Sequence, residues 1–156
     1  MTTQAYPQLE LDAQLCLPLH AATRAVTRAY GHLLAQEGLT YPQYLTMLAV
    51  WDAADPVNVG EIGERLRLDS GTLTPLLKRL EAAGLVERRR DPGDERRVLI
   101  STTPEGMALR DRVASVPRRL AAALALDEEE TRALRSLLAK AMLHLDAFEA
   151  TAGHGS

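Results

Sequence analysis

Apolar residues recur at helical spacing along most of the chain, and short polar stretches separate the periodic segments. The first such segment predicts a helix from about Asp12 to Gln36 that ends at Gly38. Pro18 falls inside this segment. Because a proline is tolerated only in the first turn of a helix or at a distortion, we expect Cys16 at or near the start of the helix. The periodic positions are Leu15, Leu19, Ala22, Val26, Ala29 and Leu33.

Two sequences typical of helix-capping boxes open the next two helices. The first, Thr40 to Gln43, begins a helix that runs through Trp51. The second, Asn58 to Glu61, begins a short helix, which a turn at Arg67 to Asp69 joins to the following one. This short helix and the helix that follows the turn therefore form a predicted helix-turn-helix pair. The expected buried face of the first consists of Tyr44, Leu45, Leu48 and Trp51.

The stretch from Asp69 to Ser101 combines a helix with a β-hairpin. Gly84 supplies the expected stop of the helix, and the hydrophobic Leu85 follows it. Residues 85–89 and 97–101 flank the turn sequence DPGDE and predict two antiparallel strands. This order predicts a winged helix, in which the helix enters a major groove of DNA and the arginine-bearing hairpin tip reaches a minor groove. The apolar stripe of the helix is Leu73, Leu76, Leu77 and Leu80.

Long apolar helices complete the chain. Thr103 caps a predicted helix that runs to about Ala123 with a bend at Pro117, and Asp127 to Glu130 place four carboxylates at the start of the last helix. The predicted fold class is therefore mainly α with a small β-hairpin wing, an α+β winged helix-turn-helix. We expect residues 1–156 to form a single domain, with 57–101 as its DNA-binding unit.

Long apolar helices outside the compact DNA-binding unit need another apolar surface to pack against. We expect residues 12–38 and 103–150 to be dimerisation helices of a homodimer whose two-fold axis matches a palindromic DNA operator. The alternative is a monomer whose terminal helices fold back on the head.

The charge distribution favours a nucleic-acid partner more than the net charge does. The chain has 18 Lys and Arg against 21 Asp and Glu. Between Arg65 and Arg97 there are 9 basic and 6 acidic residues, which gives +3 in this stretch and −6 elsewhere. Basic charge is thus concentrated on the predicted helix and hairpin. The alternative for Arg88 to Arg90 is an ordinary solvated surface.

Several functional classes are not indicated. No apolar run is long enough to span a membrane, and the N-terminal residues lack the basic and apolar regions of a signal peptide. One cysteine excludes an internal disulfide framework and favours a cytoplasmic location. The histidines and the cysteine lack metal-ligand spacing, so we expect no metal, no cofactor and no catalytic site.

Four segments make the chain resemble a known family, and the likeness extends from Leu11 to Phe148. The family is the multiple-antibiotic-resistance regulator (MarR) family of winged-helix repressors. Within it, the chain is most similar to the organic-hydroperoxide-resistance regulators of the one-cysteine type. The segments are LDAQLCLPLHAATR (11–24), LTYPQYLTMLAVW (39–51), LRLDSGTLTPLLKRLEAAGL (66–85) and DPGDERRVLISTTPEG (91–106).

The resemblance implies a redox sensor in which Cys16 is the thiol that reacts with an organic hydroperoxide. A thiolate is favoured at a helix N-terminus, and its first oxidation product is a sulfenic acid. In this family two tyrosines of the opposite subunit hydrogen-bond the sulfur, and the matching positions are Tyr30 and Tyr41. His20 stands where the subgroup often has a third tyrosine. Its imidazole either lowers the thiol pKa when protonated or is a neutral hydrogen-bonded dimer residue. Cys16 could also be an inert buried cysteine.

With no second thiol in the chain, the sulfenic acid must be captured by a small-molecule thiol or oxidised further.

DNA contacts are expected on both parts of the winged helix. The expected residues of the reading helix are Ser70, Thr72, Thr74, Lys78 and Arg79. In the wing, Asp94 and Arg96 match the family's Asp-x-Arg pattern. Arg96 would enter a narrow minor groove and Asp94 would hold its side chain, unless the two form only a turn-stabilising ion pair. Phosphate contacts are expected from Arg88, Arg89 and Arg90.

Two other functions compete with the peroxide-sensing repressor. One is a regulator of the same fold that responds to a small aromatic or phenolic ligand in the dimer crevice, with Cys16 incidental. The other is a thiol peroxidase that uses Cys16. No acid–base constellation accompanies the cysteine, and a peroxidase would have no use for the wing.

Overall fold

The computed structural model describes residues 6–54 and 56–152. The chain divides into two compact units, Met1–Val116 and Pro117–Ser156. In the described residues the helices are Cys16–Leu34 (α1), Tyr41–Asp52 (α2), Val59–Leu66 (α3), Ser70–Ala82 (α4), Pro104–Val113 (α5), Val116–Leu124 (α6) and Glu128–Ala152 (α7). The strands are Val57–Asn58 (β1), Val86–Asp91 (β2) and Asp94–Thr102 (β3), and short 3₁₀ helices occupy Pro7–Leu9, Leu11–Ala13 and Ala35–Glu37.

The predicted winged helix-turn-helix is confirmed in the first unit. α3 and α4 form the helix pair, and Arg67 between them adopts a left-handed conformation with φ of 53°. β2 and β3 form the antiparallel hairpin, with strands that extend closer to the Pro92-Gly93 turn than the sequence indicates. The mainly helical α+β class is therefore correct.

A third strand completes the sheet, and the sequence did not predict it. β1 pairs with β3, with Val57 opposite Ile100, so that the strand order is β1-β3-β2. The strand has only two residues, too few to show the alternation by which a strand is recognised. It anchors the start of α3 to the base of the wing.

α2 lies at the centre of the first unit, and this corrects the expected position of Leu48. Tyr44, Met47 and Val50 are buried as part of the core, but Leu48 is 38% exposed. A helix with neighbours on most sides buries residues all round, so its buried positions do not follow one apolar stripe. Thr46 is fully buried as well, and its hydroxyl donates to the carbonyl oxygen of Pro42 at 2.8 Å.

The predicted helix starts are largely as expected. Cys16 is the first residue of α1, with Pro18 in the first turn. Thr40 and Gln43 form both hydrogen bonds of a capping box at α2. Asn58 accepts from the backbone N–H of Glu61 at 2.9 Å and so caps α3. Local side-chain chemistry therefore sets where these helices begin.

The long helix predicted to bend at Pro117 is two helices. α5 ends at Val113 and α6 begins at Val116, so the break precedes the proline. This position agrees with the tolerance of a proline in the first turn of a helix, because Pro117 is the second residue of α6. In the second unit, Asp127 and Glu130 cap α7 reciprocally, with N···O distances of 3.0 and 2.8 Å.

One backbone joint fixes the angle between α4, the wing and α5. Gly84, with φ of +71°, ends α4, and the N–H of Leu85 donates to the carbonyl of Leu80 at 3.0 Å. The Leu85 carbonyl then accepts from the N–H of Thr103 at 3.2 Å. Gly106 packs directly on that carbonyl, because a Cβ on Gly106 would lie only 2.1 Å from the Leu85 oxygen.

Replacing Gly106 with alanine should therefore destabilise the fold. We expect Gly106→Ala to lower the free energy of unfolding by about 3 kcal/mol, at the upper end of overpacking costs, because the clash is with backbone. Gly31→Ala is the matched control, since a Cβ at Gly31 meets nothing within 4 Å. It should stabilise helix α1 by about 0.5–1 kcal/mol. Urea unfolding followed by circular dichroism measures the free energy of unfolding of both variants. Equal values would contradict the close contact of Gly106 with the Leu85 carbonyl.

Candidate nucleic-acid interface and cysteine site

The reading helix α4 begins at a well-made cap. The Asp69 carboxylate accepts from the N–H and from the hydroxyl of Thr72, both at 2.9 Å. These two hydrogen bonds lower the pKa of Asp69, with the backbone N–H making the larger contribution. The hydroxyl proton of Thr72 is thus used in the cap. Its hydroxyl oxygen can still accept a hydrogen bond from DNA, with which Thr72 was predicted to make contact.

The core side of α4 is the predicted stripe, and the other side is open. Leu73, Leu76, Leu77 and Leu80 are buried. Of the predicted contact residues, Thr74 is half-buried, and the others are exposed: Ser70, Thr72, Lys78 and Arg79. The helix therefore presents a polar and basic surface while its apolar face holds it on the core.

The three consecutive arginines of β2 have different surroundings. The Arg88 Nε atom pairs with the Glu81 Oε2 atom of α4 at 2.7 Å, and its side chain is 25% exposed. Arg90 donates to the carbonyl oxygen of Glu95 at 3.1 Å. Arg89 is exposed. Arg88 therefore ties the wing to the reading helix, whereas Arg89 faces solvent.

An irregular hairpin end shapes the wing tip. The register passes from Arg90 opposite Val98 to Asp91 opposite Asp94, so three extra residues of β3 are accommodated there. These residues are Glu95, Arg96 and Arg97.

Asp94 holds this tip through the backbone. Its carboxylate accepts from the Arg96 N–H at 3.1 Å and lies 3.9 Å from the Arg97 Nε atom. In the unbound chain Asp94 thus orders the turn and leaves the Arg96 side chain exposed.

A cleft of about 690 Å³ brings the three elements of the winged helix together. Thr74 from α4 and Arg88, Arg96 and Arg97 from the wing line it. α3 contributes the carboxylates Glu61 and Glu64. Residues predicted separately on the helix and the hairpin therefore share one surface.

Cys16 lies at the opposite end of α1 from the core. It is exposed as the first residue of the helix, which has no side-chain cap. His20 stands one turn later and is also exposed. Leu34, at the other end of α1, is the buried residue of this helix.

Tyr30 and Tyr41 are in contact with each other within the chain. Their rings stack with centroids 4.0 Å apart and planes inclined by 9°. Burial raises the pKa of Tyr30 to about 12, with smaller contributions from Tyr41 and Tyr44. Burial also raises the pKa of Tyr41, although a hydrogen bond from Tyr30 opposes this. Tyr30 is therefore a neutral donor at physiological pH.

Tyr44 is a third member of this cluster that sequence reasoning placed only in the core. It is fully buried, its ring centroid lies 5.5 Å from that of Tyr30, and burial raises its pKa. Its spacing of three residues from Tyr41 on one helix is the signal that could have revealed it.

Cys16 and the tyrosine pair are far apart within one chain. Cys16 and Tyr30 are fourteen residues apart along α1, roughly 21 Å at the rise of an α-helix. A straight helix cannot bring these two side chains together. Contact between this sulfur and these phenols therefore requires a second chain.

Comparison with known proteins identifies the family. A model of the MarR family matches residues 37–97. The chain is 41% identical over 133 residues to the organic hydroperoxide resistance transcriptional regulator of Bacillus subtilis (strain 168), a match that covers 85% of this chain and 90% of the relative. The chain belongs to the MarR family. The resemblance found in its sequence motifs is thereby confirmed.

Two further proteins support this MarR-family assignment. The chain is 50% identical over 129 residues to the HTH-type transcriptional regulator TtmR of Methylorubrum extorquens (strain PA1), covering 83% of this chain and 66% of TtmR. The structure of reduced AbfR bound to DNA matches with a TM-score of 0.74 at 36% identity, covering 88% of this chain and 96% of AbfR. AbfR is a protein of Staphylococcus epidermidis.

Two other kinds of feature are absent from the part of the chain that the structure describes. Within residues 6–54 and 56–152, no group of three or more His, Cys, Asp or Glu side chains is placed to hold a metal ion. None of the helices in this part of the chain is sufficiently long and apolar to cross a membrane.

The raised pKa of Tyr30 predicts how the cluster responds to alkali. Its neutral form is favoured by folding, so its contribution to stability is complete below pH 10 and is lost as the pH rises towards about 12. Tyr30→Phe cannot ionise, and we expect its free energy of unfolding to fall less than that of the wild type over this interval. The difference in phenolate absorbance between the two proteins gives the Tyr30 titration directly. A midpoint near the ordinary value of 10.0 would contradict the buried cluster.

Proposed function

We propose that this chain is a homodimeric, DNA-binding transcriptional repressor that releases its operator when an organic hydroperoxide oxidises Cys16. The observation that carries the sensing part is the exposed Cys16 at the start of α1, far along the same helix from a stacked pair of tyrosines. Its similarity to the Bacillus regulator, which is named for organic hydroperoxide resistance, supports this choice of oxidant.

The DNA-binding part rests on the winged helix. α4 is narrow enough to enter a major groove, and its free face carries Lys78 and Arg79. The ordered wing tip leaves Arg96 exposed beside it, in position for a narrow minor groove. The DNA complex of AbfR supports this use of the fold.

The homodimer rests on apolar surface that the single chain leaves open. In α1, Leu17 and Leu19 are exposed, and α7 has no buried residue over its 25 residues. Phe148 in α7 is 67% exposed. Contiguous apolar faces of this extent are typical of subunit interfaces, and a second copy of the chain would cover them.

In such a dimer the sulfur of one subunit can meet the tyrosines of the other. Tyr30 and Tyr41 of the second copy would donate hydrogen bonds to the Cys16 thiolate and favour its charged form. His20, one turn from Cys16, would lie beside the same sulfur.

The proposed reaction consumes one hydroperoxide per sulfur. The Cys16 thiolate attacks the terminal oxygen of the hydroperoxide and the O–O bond breaks, giving a sulfenic acid and, after proton transfer, an alcohol. A small-molecule thiol then condenses with the sulfenic acid to form a mixed disulfide and water. Oxidation removes the negative charge of the Cys16 thiolate, to which the phenols donate. The two subunits, each with its winged-helix reading head, then rearrange relative to each other.

Cys16→Ser separates redox control from ligand control. We expect the wild type and Cys16→Ser to bind the same duplex, selected from a random DNA pool, with similar affinity. One equivalent of cumene hydroperoxide together with a small thiol should release only the wild type. Electrophoretic mobility shift measures the release, and mass spectrometry measures the adduct on Cys16. Equal release of both proteins would contradict the proposal and favour a ligand in the dimer crevice.

The wing makes a second, independent prediction. Arg96→Ala should sharply weaken binding to the selected duplex. It should also reduce the ratio of affinities for the selected and a scrambled duplex, because an arginine in the minor groove recognises groove width, which depends on sequence. Arg89→Gln is the comparison variant. Its loss of one phosphate contact should weaken binding to both duplexes alike and reduce the slope of log affinity against log salt by about 1. Sedimentation should show unchanged dimers. Full affinity of Arg96→Ala at matched salt would remove the wing from the interface.

A further inference from the structure

The side of α4 that points directly away from the core carries one residue predicted to read DNA, Lys78, and three that were not predicted to do so. Gly71, Pro75, Lys78 and Ala82 follow each other at spacings of four, three and four, so they form one line along the helix. This line lies opposite the buried leucine stripe, and all four residues are exposed. Thr74 and Arg79 flank it. In a helix seated in a groove, this line faces the floor of the groove.

Pro75 has no structural reason to stand on this line. It lies inside α4, where a proline removes the hydrogen bond that its N–H would make to the Gly71 carbonyl. Its ring is exposed, so burial offsets little of this loss. Any alanine-like residue would make a more stable helix at this position. The advantage of Pro75 therefore lies in contact with something outside the chain.

Gly71 allows such a contact to be close. It precedes Pro75 by one turn on the same line and has no side chain, so the first turn of the helix presents only backbone at that point. The proline ring is thus the most prominent apolar group near the N-terminal end of the reading face. Residues at this end of a recognition helix are those that contact base edges.

We propose that Pro75 packs against the C5-methyl group of a thymine in each operator half-site. The proline side chain has no hydrogen-bond donor or acceptor, so it cannot recognise the polar atoms of a base edge. The thymine methyl is the apolar group that base edges present in the major groove. Pro75 therefore contributes to sequence specificity, while Lys78 on the same line contributes charge.

The inference rests on the proposed function, and the experiment separates the two. A duplex is first selected from a random pool with the full-length wild type. Each thymine of a half-site, with its symmetry mate, is then replaced by deoxyuridine, which removes the methyl and nothing else. For the wild type, we expect one position per half-site at which affinity falls about fourfold for each methyl, the value of one buried methyl-sized group.

Pro75→Ser tests the assignment of that position. The substitution restores the backbone N–H and should keep the helix folded. We expect this variant to bind thymine and deoxyuridine duplexes equally at that position. Lys78→Gln is the matched control on the same line of the helix. It should bind both duplexes more weakly and keep the loss of about fourfold for each methyl.

Three outcomes would overturn the inference. A selected site without a sensitive thymine in its half-sites would do so, and so would an unchanged methyl effect in Pro75→Ser. Loss of the methyl effect in Lys78→Gln would show that the effect reports overall affinity and not contact with Pro75. If the wild type enriches no duplex at all, the proposed function fails, and the inference fails with it.

Discussion

The arrangement of the winged helix depends on the Leu85 carbonyl. Three elements meet there: the turn at Gly84 that follows α4 leads into it, the N–H of Thr103 just after β3 donates to it, and Gly106 of α5 lies directly against it. The Thr103 hydroxyl donates to the neighbouring Gly84 carbonyl at 2.6 Å. Because buried backbone carbonyls must be paired and the contact with Gly106 leaves no room for a side chain, the angle between the reading helix and the wing has little freedom. The Arg88–Glu81 pair reinforces the same angle further out.

Features encoded by neighbouring residues were predictable from the sequence. The caps at Thr40, Asn58 and Thr103 and the stop at Gly84 are short-range hydrogen-bond patterns, so the sequence places the ends of these helices closely. The features that were missed depend on distant partners. β1 forms only because it pairs with β3. Leu48 is exposed because the elements packed around α2, and not its own apolar pattern, decide which of its residues are buried. Neither arrangement has a local signal.

The candidate site shows the same division. The position of Cys16 at a helix start follows from Pro18, and the reading-helix surface follows from the leucine stripe. The stacking of Tyr30 on Tyr41 joins two helices, and only the family resemblance connected these residues. Arg88 was expected among phosphate contacts, but its carboxylate partner lies on another element and periodicity within β2 does not reveal it. The sequence alone does not show which residues of different helices and strands contact each other.

The proposed sensor must transmit a change at α1 to the reading head, and the first unit contains a continuous set of contacts that can do so. Glu37, just beyond α1, accepts from the Arg112 Nε atom at 2.8 Å, and Arg112 also donates to Glu105 at 2.9 Å. These carboxylates, Glu37 first, raise the pKa of Arg112.

Glu105 precedes Gly106, whose carbonyl accepts from the Trp51 Nε1 atom at 3.2 Å and whose Cα rests on the joint at Leu85. A displacement of the end of α1 therefore acts on α5 through Arg112 and on α4 and the wing through Gly106. Because packed joints of this kind move as rigid bodies and do not deform gradually, the expected consequence of oxidation is a rotation of the whole head. Such a rotation would separate two heads from a palindromic operator without unfolding either one.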